Sequence, residues 1–277
     1  MASGRPGTRL TKLVVALLTL LTAGCSSLPG TSTALIDDQR IEYAQVDRGT
    51  APVVFENGLG ATMAGWEKVL ADISKDSTTF VYDRPGNGNS AAAGSPRDGA
   101  HVVDELRTLL RSRGLQPPYV LVGHSLGGLY MQYFARRYPD EVAGLVLVDS
   151  THPNQGRGKG APENWPFWAR MIFKMSPAAV KDEMGLVNST GDGVLALPAY
   201  TGRTVILFSA QAAADDRSEL ARDANEKRLD LLRMYPGAKA IGVDSGHFIQ
   251  WEKPEAVVAA IREVQPYVSH IEPATLK

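Results

Sequence analysis

The chain holds a single cysteine among 277 residues. That excludes an internal disulfide framework and any zinc site built on several thiolates. Charge of one sign is equally scarce: 29 Lys+Arg stand against 30 Asp+Glu, a formal charge of −1. Without a basic footprint, a nucleic-acid partner is disfavoured. The apolar run from Leu13 to Leu21, broken by Thr19, is far shorter than the roughly 20 residues that span a bilayer. No internal repeat or long low-complexity tract is present. What remains is ordinary globular composition, 44% hydrophobic and 21% charged. A chain this long buries enough surface to need no disulfide or metal staple.

The N-terminus reads as a targeting segment. Arg5, Arg9 and Lys12 precede the Leu13 to Leu21 run, as the n-region and h-region of a secretory signal do. Leu21-Thr22-Ala23-Gly24-Cys25 follows and resembles a bacterial lipobox, with Thr22 as its departure. The alternative is an ordinary cleaved signal peptide with a chance cysteine. The expectation is a signal peptide over 1–24, lipidation of Cys25, and a flexible tether over 25–38. The protein is then exported and anchored to the membrane by lipid, with its body outside the cytoplasm. That body is mildly acidic, which leaves attachment to the lipid rather than to charge.

From about residue 39 the pattern alternates strands and helices. Val53 to Phe55, Thr78 to Tyr82, Tyr119 to Val122, Val142 to Val148, Thr204 to Phe208 and Ala238 to Val243 are short apolar runs. Between them, apolar residues recur at helical spacing, as at Val102, Val103, Leu106, Leu109 and Leu110. Strands apolar on both faces predict an α/β fold, a mostly parallel sheet with helices on both faces. Ile41 to Val46 alternates apolar and polar residues, as an exposed antiparallel strand does. Residues 151–203 break the rhythm with Gly156, Gly158 and Gly160, then Trp165, Phe167, Trp168, Met171, Phe173 and Met175. They read as a short helical cap inserted into a domain spanning 39–270.

Gly123-His124-Ser125-Leu126-Gly127 fits G-x-S-x-G and lies directly between a strand and a helix. Such a turn lifts the serine hydroxyl above the sheet and aims a helix N-terminus at it. With Asn57-Gly58-Leu59-Gly60, Asp83-Arg84-Pro85-Gly86-Asn87-Gly88-Asn89-Ser90 and Ser245-Gly246-His247, the chain resembles the α/β-hydrolase fold family over residues 39–266. The resemblance implies a Ser–His–acid triad, no cofactor, no metal, and hydrolysis of a carbonyl bond. Ser125 would be the nucleophile and His247, on the loop after the last strand, its base. His101, His124, His152 and His270 are the competing histidines. The oxyanion hole would use the backbone N–H groups of Leu59 and Leu126. Asn57 stands where the family usually has His. Glu56 beside it reads as a partner for a nearby arginine or backbone amide.

The acid has two candidates. Asp149 ends the strand Val142 to Val148. Asp215 follows the strand ending at Phe208, later than the family's usual position. Asp216-Arg217-Ser218-Glu219 also fits a capping box, which gives the aspartates there a structural role. Asp149 is therefore preferred. The expected activity is cleavage of a carboxylic ester through an acyl-enzyme on Ser125. The expected substrate is a small ester with an apolar acyl or alcohol part, suggested by the aromatic- and Met-rich cap. The competing reading of those cap side chains is that they are the cap's own core. The competing functional class is a non-catalytic or slow ligand-binding protein on the same scaffold.

Overall fold

Asp37 and Asp38 both sit at positive φ, 49° and 61°. That is the twist a two-residue hairpin turn requires. They join β1 (Ser32–Ile36) to β2 (Gln39–Val46), which pair antiparallel from Ser32↔Tyr43 to Ile36↔Gln39. The computed structural model describes residue 28, residues 30–215 and residues 218–266. The expected signal segment 1–24, Cys25 and His270 lie outside the described residues. Part of the expected tether is thus a strand. Only Ala34 and Ile36 of β1 are buried, and the exposed Leu35 between them hides the alternation that would announce an edge strand.

The unbroken apolar runs form the sheet's interior. They are β3 (Val53–Glu56), β4 (Thr79–Tyr82), β5 (Tyr119–His124), β6 (Val142–Val148) and β7 (Thr204–Ser209). β8 (Lys239–Val243), exposed at Lys239, Ala240 and Gly242, forms the far edge. The order is β1-β2-β4-β3-β5-β6-β7-β8. Strands from β4 through β8 in that order run parallel, and β2 joins β4 antiparallel. Successive residues point to opposite faces, and each face carries its own apolar core. On one side Val54, Phe80, Leu121 and Leu147 meet Leu106 and Leu110 of α2 (Gly99–Ser112) and Leu129 and Phe134 of α3 (Leu126–Arg137). On the other, Phe55, Val122, Val146 and Leu207 meet Ile73 of α1 (Glu67–Ile73) and Val257 and Ile261 of the closing helix, Pro254–Val264. Each such side chain contributes about 1.5–3 kcal/mol by leaving water. The fold is α/β, with helices on both faces of a mostly parallel sheet.

Between β6 and β7 the chain forms α4 (Phe167–Met175), α5 (Ala178–Gly185) and α6 (Val187–Ala196). This insertion is tied to the body. Val187 and Val194 enter the first core. Thr190 Oγ1 accepts from the Gly99 amide at 2.9 Å, and Arg136 donates to the Val194 carbonyl at 3.1 Å. After β7 come α7 (Ala210–Ala213) and α8 (Glu219–Met234). The short α9 (Ile249–Glu252) precedes the closing helix, α10. The N-cap of α8 is Ser218, whose hydroxyl accepts from the Ala221 amide at 3.1 Å. The cap therefore falls two residues later than the expected box beginning at Asp216, which lies outside the described residues.

Candidate active site

Ser125 occupies the junction of β5 and α3 at φ 52° and ψ −121°. For a residue with a side chain that conformation costs about 1–3 kcal/mol and persists only where its surroundings enforce it. The enforcement is backbone crowding. A Cβ on Gly127 would lie 2.4 Å from the carbonyl oxygens of both Glu56 and Asn57, and one on Gly123 would lie 2.6 Å from the Gly127 oxygen. Only glycine fits at either flank. Ser125 N donates to Val148 O at 3.1 Å, and Ser125 O accepts from Gly128 N and Thr151 N at 2.9 Å each.

His247 follows β8, and its Nδ1–H donates to Asp149 Oδ2 at 2.7 Å. That leaves Nε2 as the ring's acceptor. Asp149, just past β6, is itself held at positive φ, 39°. Its Oδ1 accepts from the Ser209 amide at 3.0 Å, with Arg228 Nε 3.8 Å away. Burial pushes this carboxyl up. The His247 hydrogen bond and charge, the Ser209 amide and Arg228 outweigh burial and hold it below the ordinary aspartate range. Asp215 lies beyond α7, and its carbonyl accepts from Asn225 at 2.8 Å. Of the two candidate acids, Asp149 is the one bonded to the His247 ring. Ser125, Asp149 and His247 line one cavity of about 300 Å³, with Thr151, Phe208 and Leu231 among its walls.

The loop Asn57-Gly58-Leu59-Gly60 adjoins the serine: a Cβ on Gly58 would sit 3.4 Å from Ser125 Cβ. Among the described residues, neither Leu59 N–H nor Leu126 N–H donates to a protein acceptor. These are the two amides expected from the sequence at an oxyanion hole. What fixes this loop is Arg84. Its guanidinium donates to Asn57 O at 2.6 Å and Gly58 O at 2.8 Å. It also bonds Glu56 Oε1 at 2.6 Å and grips both oxygens of Glu183, on α5, at 2.8 and 2.9 Å. All three side chains are fully buried. Burial raises the Glu56 carboxyl, against the lowering charge of Arg84 and the Tyr82 hydroxyl. Burial also opposes the Arg84 charge, but the two carboxylates outweigh it. Glu56 thus partners both an arginine and its own neighbour's amide, Asn57 N at 3.1 Å. Asn57, in place of His, braces the loop through Tyr82 O at 2.7 Å and the Trp66 indole at 2.9 Å. Asp83 accepts from Met63 N at 2.7 Å, and burial raises its carboxyl to about 6.

The remaining described histidines have other duties. His101 bonds the helix-capping Asp98 at 2.8 Å. His152 lines the same cavity. Its Nδ1 accepts from Asn154 N at 3.0 Å, so Nε2 carries the proton that Asp230 receives at 2.9 Å. His124 is buried and donates from Nε2 to the His247 carbonyl at 3.0 Å, its ring 4.7 Å from the His247 ring. Its ring thus holds the backbone of His247. Its place inside the elbow gave no signal of this, because the contact spans 123 residues of sequence. Of the cap's large apolar side chains, Trp165 and Phe173 are half-buried and meet edge-on at 5.7 Å, while four others differ from expectation. Phe167, Trp168, Met171 and Met175 neither line the cavity nor join a core; all four are exposed.

Residues 51–179 match the family model of the alpha/beta hydrolase fold. Over 97 residues the chain is 35% identical to the uncharacterized protein YqjL of Bacillus subtilis, covering 35% of this chain and 38% of that one. Over 145 residues it is 32% identical to the (lyso)-N-acylphosphatidylethanolamine lipase of Bos taurus, covering 48% of this chain and 41% of the lipase. The chain thus spans about two fifths of the length of the curated relatives it matches. A solved thermophilic esterase from Thermogutta terrifontis superposes with a TM-score of 0.60 at 22% identity, over 85% of this chain and 99% of the esterase.

Proposed function

The chain has the α/β-hydrolase fold, and on that premise we propose that it is a serine hydrolase cleaving small carboxylic esters through an acyl-enzyme on Ser125. The observation that carries this reading is the His247–Asp149 bond beside a strained serine on one cavity. His247 Nε2 takes the Ser125 proton as Oγ forms its bond to the ester carbonyl carbon. The imidazolium is stabilised by Asp149 and then protonates the leaving alcohol as the C–O bond breaks. Water, deprotonated by the same ring, releases the acid. The Leu59 and Leu126 amides bind the oxyanion at both steps. No step calls on a cofactor or a metal. The cavity of about 300 Å³, at the small end of ligand pockets, has one apolar wall of Ile206, Leu207, Phe208 and Leu231 that suits a short apolar acyl or alcohol group, while His152, Gln155 and Arg228 line it with polar groups.

A fluorophosphonate probe tests the reading. The parent chain should be labelled covalently and Ser125→Ala should not. A parent that resists labelling would instead favour the ligand-binding class. The relatives' names are consistent with lipid or ester substrates and supply no more than that.

The lipobox resemblance supports a second proposal: the protein is exported and held at the membrane by acylated Cys25. Metabolic labelling with a radioactive fatty acid should mark the parent and fail on Cys25→Ser. Equal incorporation into both would sink the anchor.

A further inference from the structure

Helix α4 has a feature that ester hydrolysis does not use. None of its nine residues is buried. Phe167 is 72% exposed, Met175 78%, Met171 41% and Trp168 39%. At 100° per residue these four share one arc of about 100°. Ala169, Ile172 and Phe173 form the half-buried opposite side, where Phe173 meets Trp165 edge-on at 5.7 Å. Exposed Arg170 and Lys174 stand at one border of the apolar arc. From Trp165 to Lys181 the chain carries three cations, Arg170, Lys174 and Lys181, and no acid; Glu163 and Asp182 lie just outside. The mild negative charge of the whole body is therefore reversed at this helix.

We propose that the exposed face of α4 is a docking surface for an anionic phospholipid bilayer. Two arguments select that occupant. The first is charge complementarity. Long cationic side chains at the edge of an apolar stripe keep their heads among anionic phosphates while the stripe enters the acyl boundary. The second is size. Nine residues make a helix about 14 Å long, too small to supply the roughly 1,200 Å² of a stable protein interface. A bilayer needs only the stripe. The helix belongs to the insertion whose Glu183 grips the oxyanion-loop arginine, so docking would set the proposed catalytic cavity at a lipid surface. This surface argument stands on α4 alone and does not depend on acylation of Cys25.

The test uses a chain beginning at residue 26, which keeps every described residue and removes any acyl anchor. It should co-sediment with mixed phosphatidylcholine–phosphatidylglycerol vesicles and bind pure phosphatidylcholine at least about tenfold more weakly. Brominated acyl chains should quench its fluorescence, and Trp168→Phe should remove that quenching. The double variant Phe167→Asp/Met171→Asp should lose about tenfold or more in vesicle binding, with melting and turnover of a soluble ester unchanged. Absence of vesicle binding by the parent overturns the proposal, as does equal binding by the double variant. A concentration-dependent dimer abolished by the same two changes would assign the face to a second copy and overturn it too. Fluorophosphonate labelling separates this from the hydrolase reading. A labelled protein that ignores vesicles sinks only the docking surface. An unlabelled one that binds them sinks only the hydrolase.

Discussion

Asp149 carries two constraints at one residue: a positive φ of 39° and a carboxylate bonded to both the Ser209 amide and His247 Nδ1. The backbone strain aims the side chain, and the amide fixes which oxygen faces the ring. Replacing this carboxylate with an amide keeps the volume but puts an N–H where the imidazole must donate, so the ring turns or takes the wrong tautomer. Asp149→Asn should therefore melt near the parent and lose on the order of 10⁴ in turnover. Asp215→Asn should remain active, because Asp149 is the carboxylate that holds His247 Nδ1. Matched melting and ester-turnover measurements on the two variants decide between them. An inactive, normally folded Asp215→Asn would move the acid to the segment after β7.

At the scale of elements, Arg84 joins three pieces of chain: the loop after β3, the Asp83–Ser90 turn after β4, and α5 of the insertion. One planar guanidinium accomplishes this because its five donors reach two carbonyls and two carboxylates at once. A lysine keeps the charge but cannot hold both loop carbonyls in register. Arg84→Lys should lower kcat by up to about 10²-fold, the scale of one misplaced oxyanion donor, with KM little changed. Parent-like kcat would show that the loop keeps its shape without the clamp. The sequence made some of these elements plain and hid others. Interior strands were legible because burial on both faces demands unbroken apolar runs, as in Val142–Val148. The Ser125 elbow was legible because so tight a strand-to-helix turn admits only glycine at both flanks, although the backbone that crowds Gly127 comes from Glu56 and Asn57. Glu183 was not, since its partner is 99 residues away and a buried glutamate on a short helix has no spacing of its own. The insertion was legible, but not where its side chains face: α4 turns Phe167, Trp168, Met171 and Met175 outward, and helical period alone does not say which side faces protein.

Across the whole molecule, the two cores flank a sheet whose C-terminal edge must hold the polar site without admitting water into either. His124 shows what this costs in acid. It is fully buried beside His247, and burial first, then the His247 charge, depresses its pKa from 6.5 to about 3. The unfolded chain therefore takes that proton first. Stability owed to neutral His124 is complete above about pH 6.5 and is lost progressively as pH falls toward about 3, at about 1.4 kcal/mol per pH unit. Asp83 works in the opposite direction. Burial holds its pKa up to about 6 against an ordinary 3.8, so the folded chain takes that proton first and gains stability on acidification through that window. The two effects offset each other in the parent between about pH 6 and 4, and a single acid-melting curve hides both. A variant separates them. His124→Gln keeps an amide N–H for the His247 carbonyl but does not titrate, while Asp83 is common to both proteins and cancels in their difference. Urea unfolding at pH 7, 5.5 and 4 should show the parent losing stability relative to His124→Gln at each step down. Parallel stability–pH profiles would mean that His124 is not held neutral by its burial.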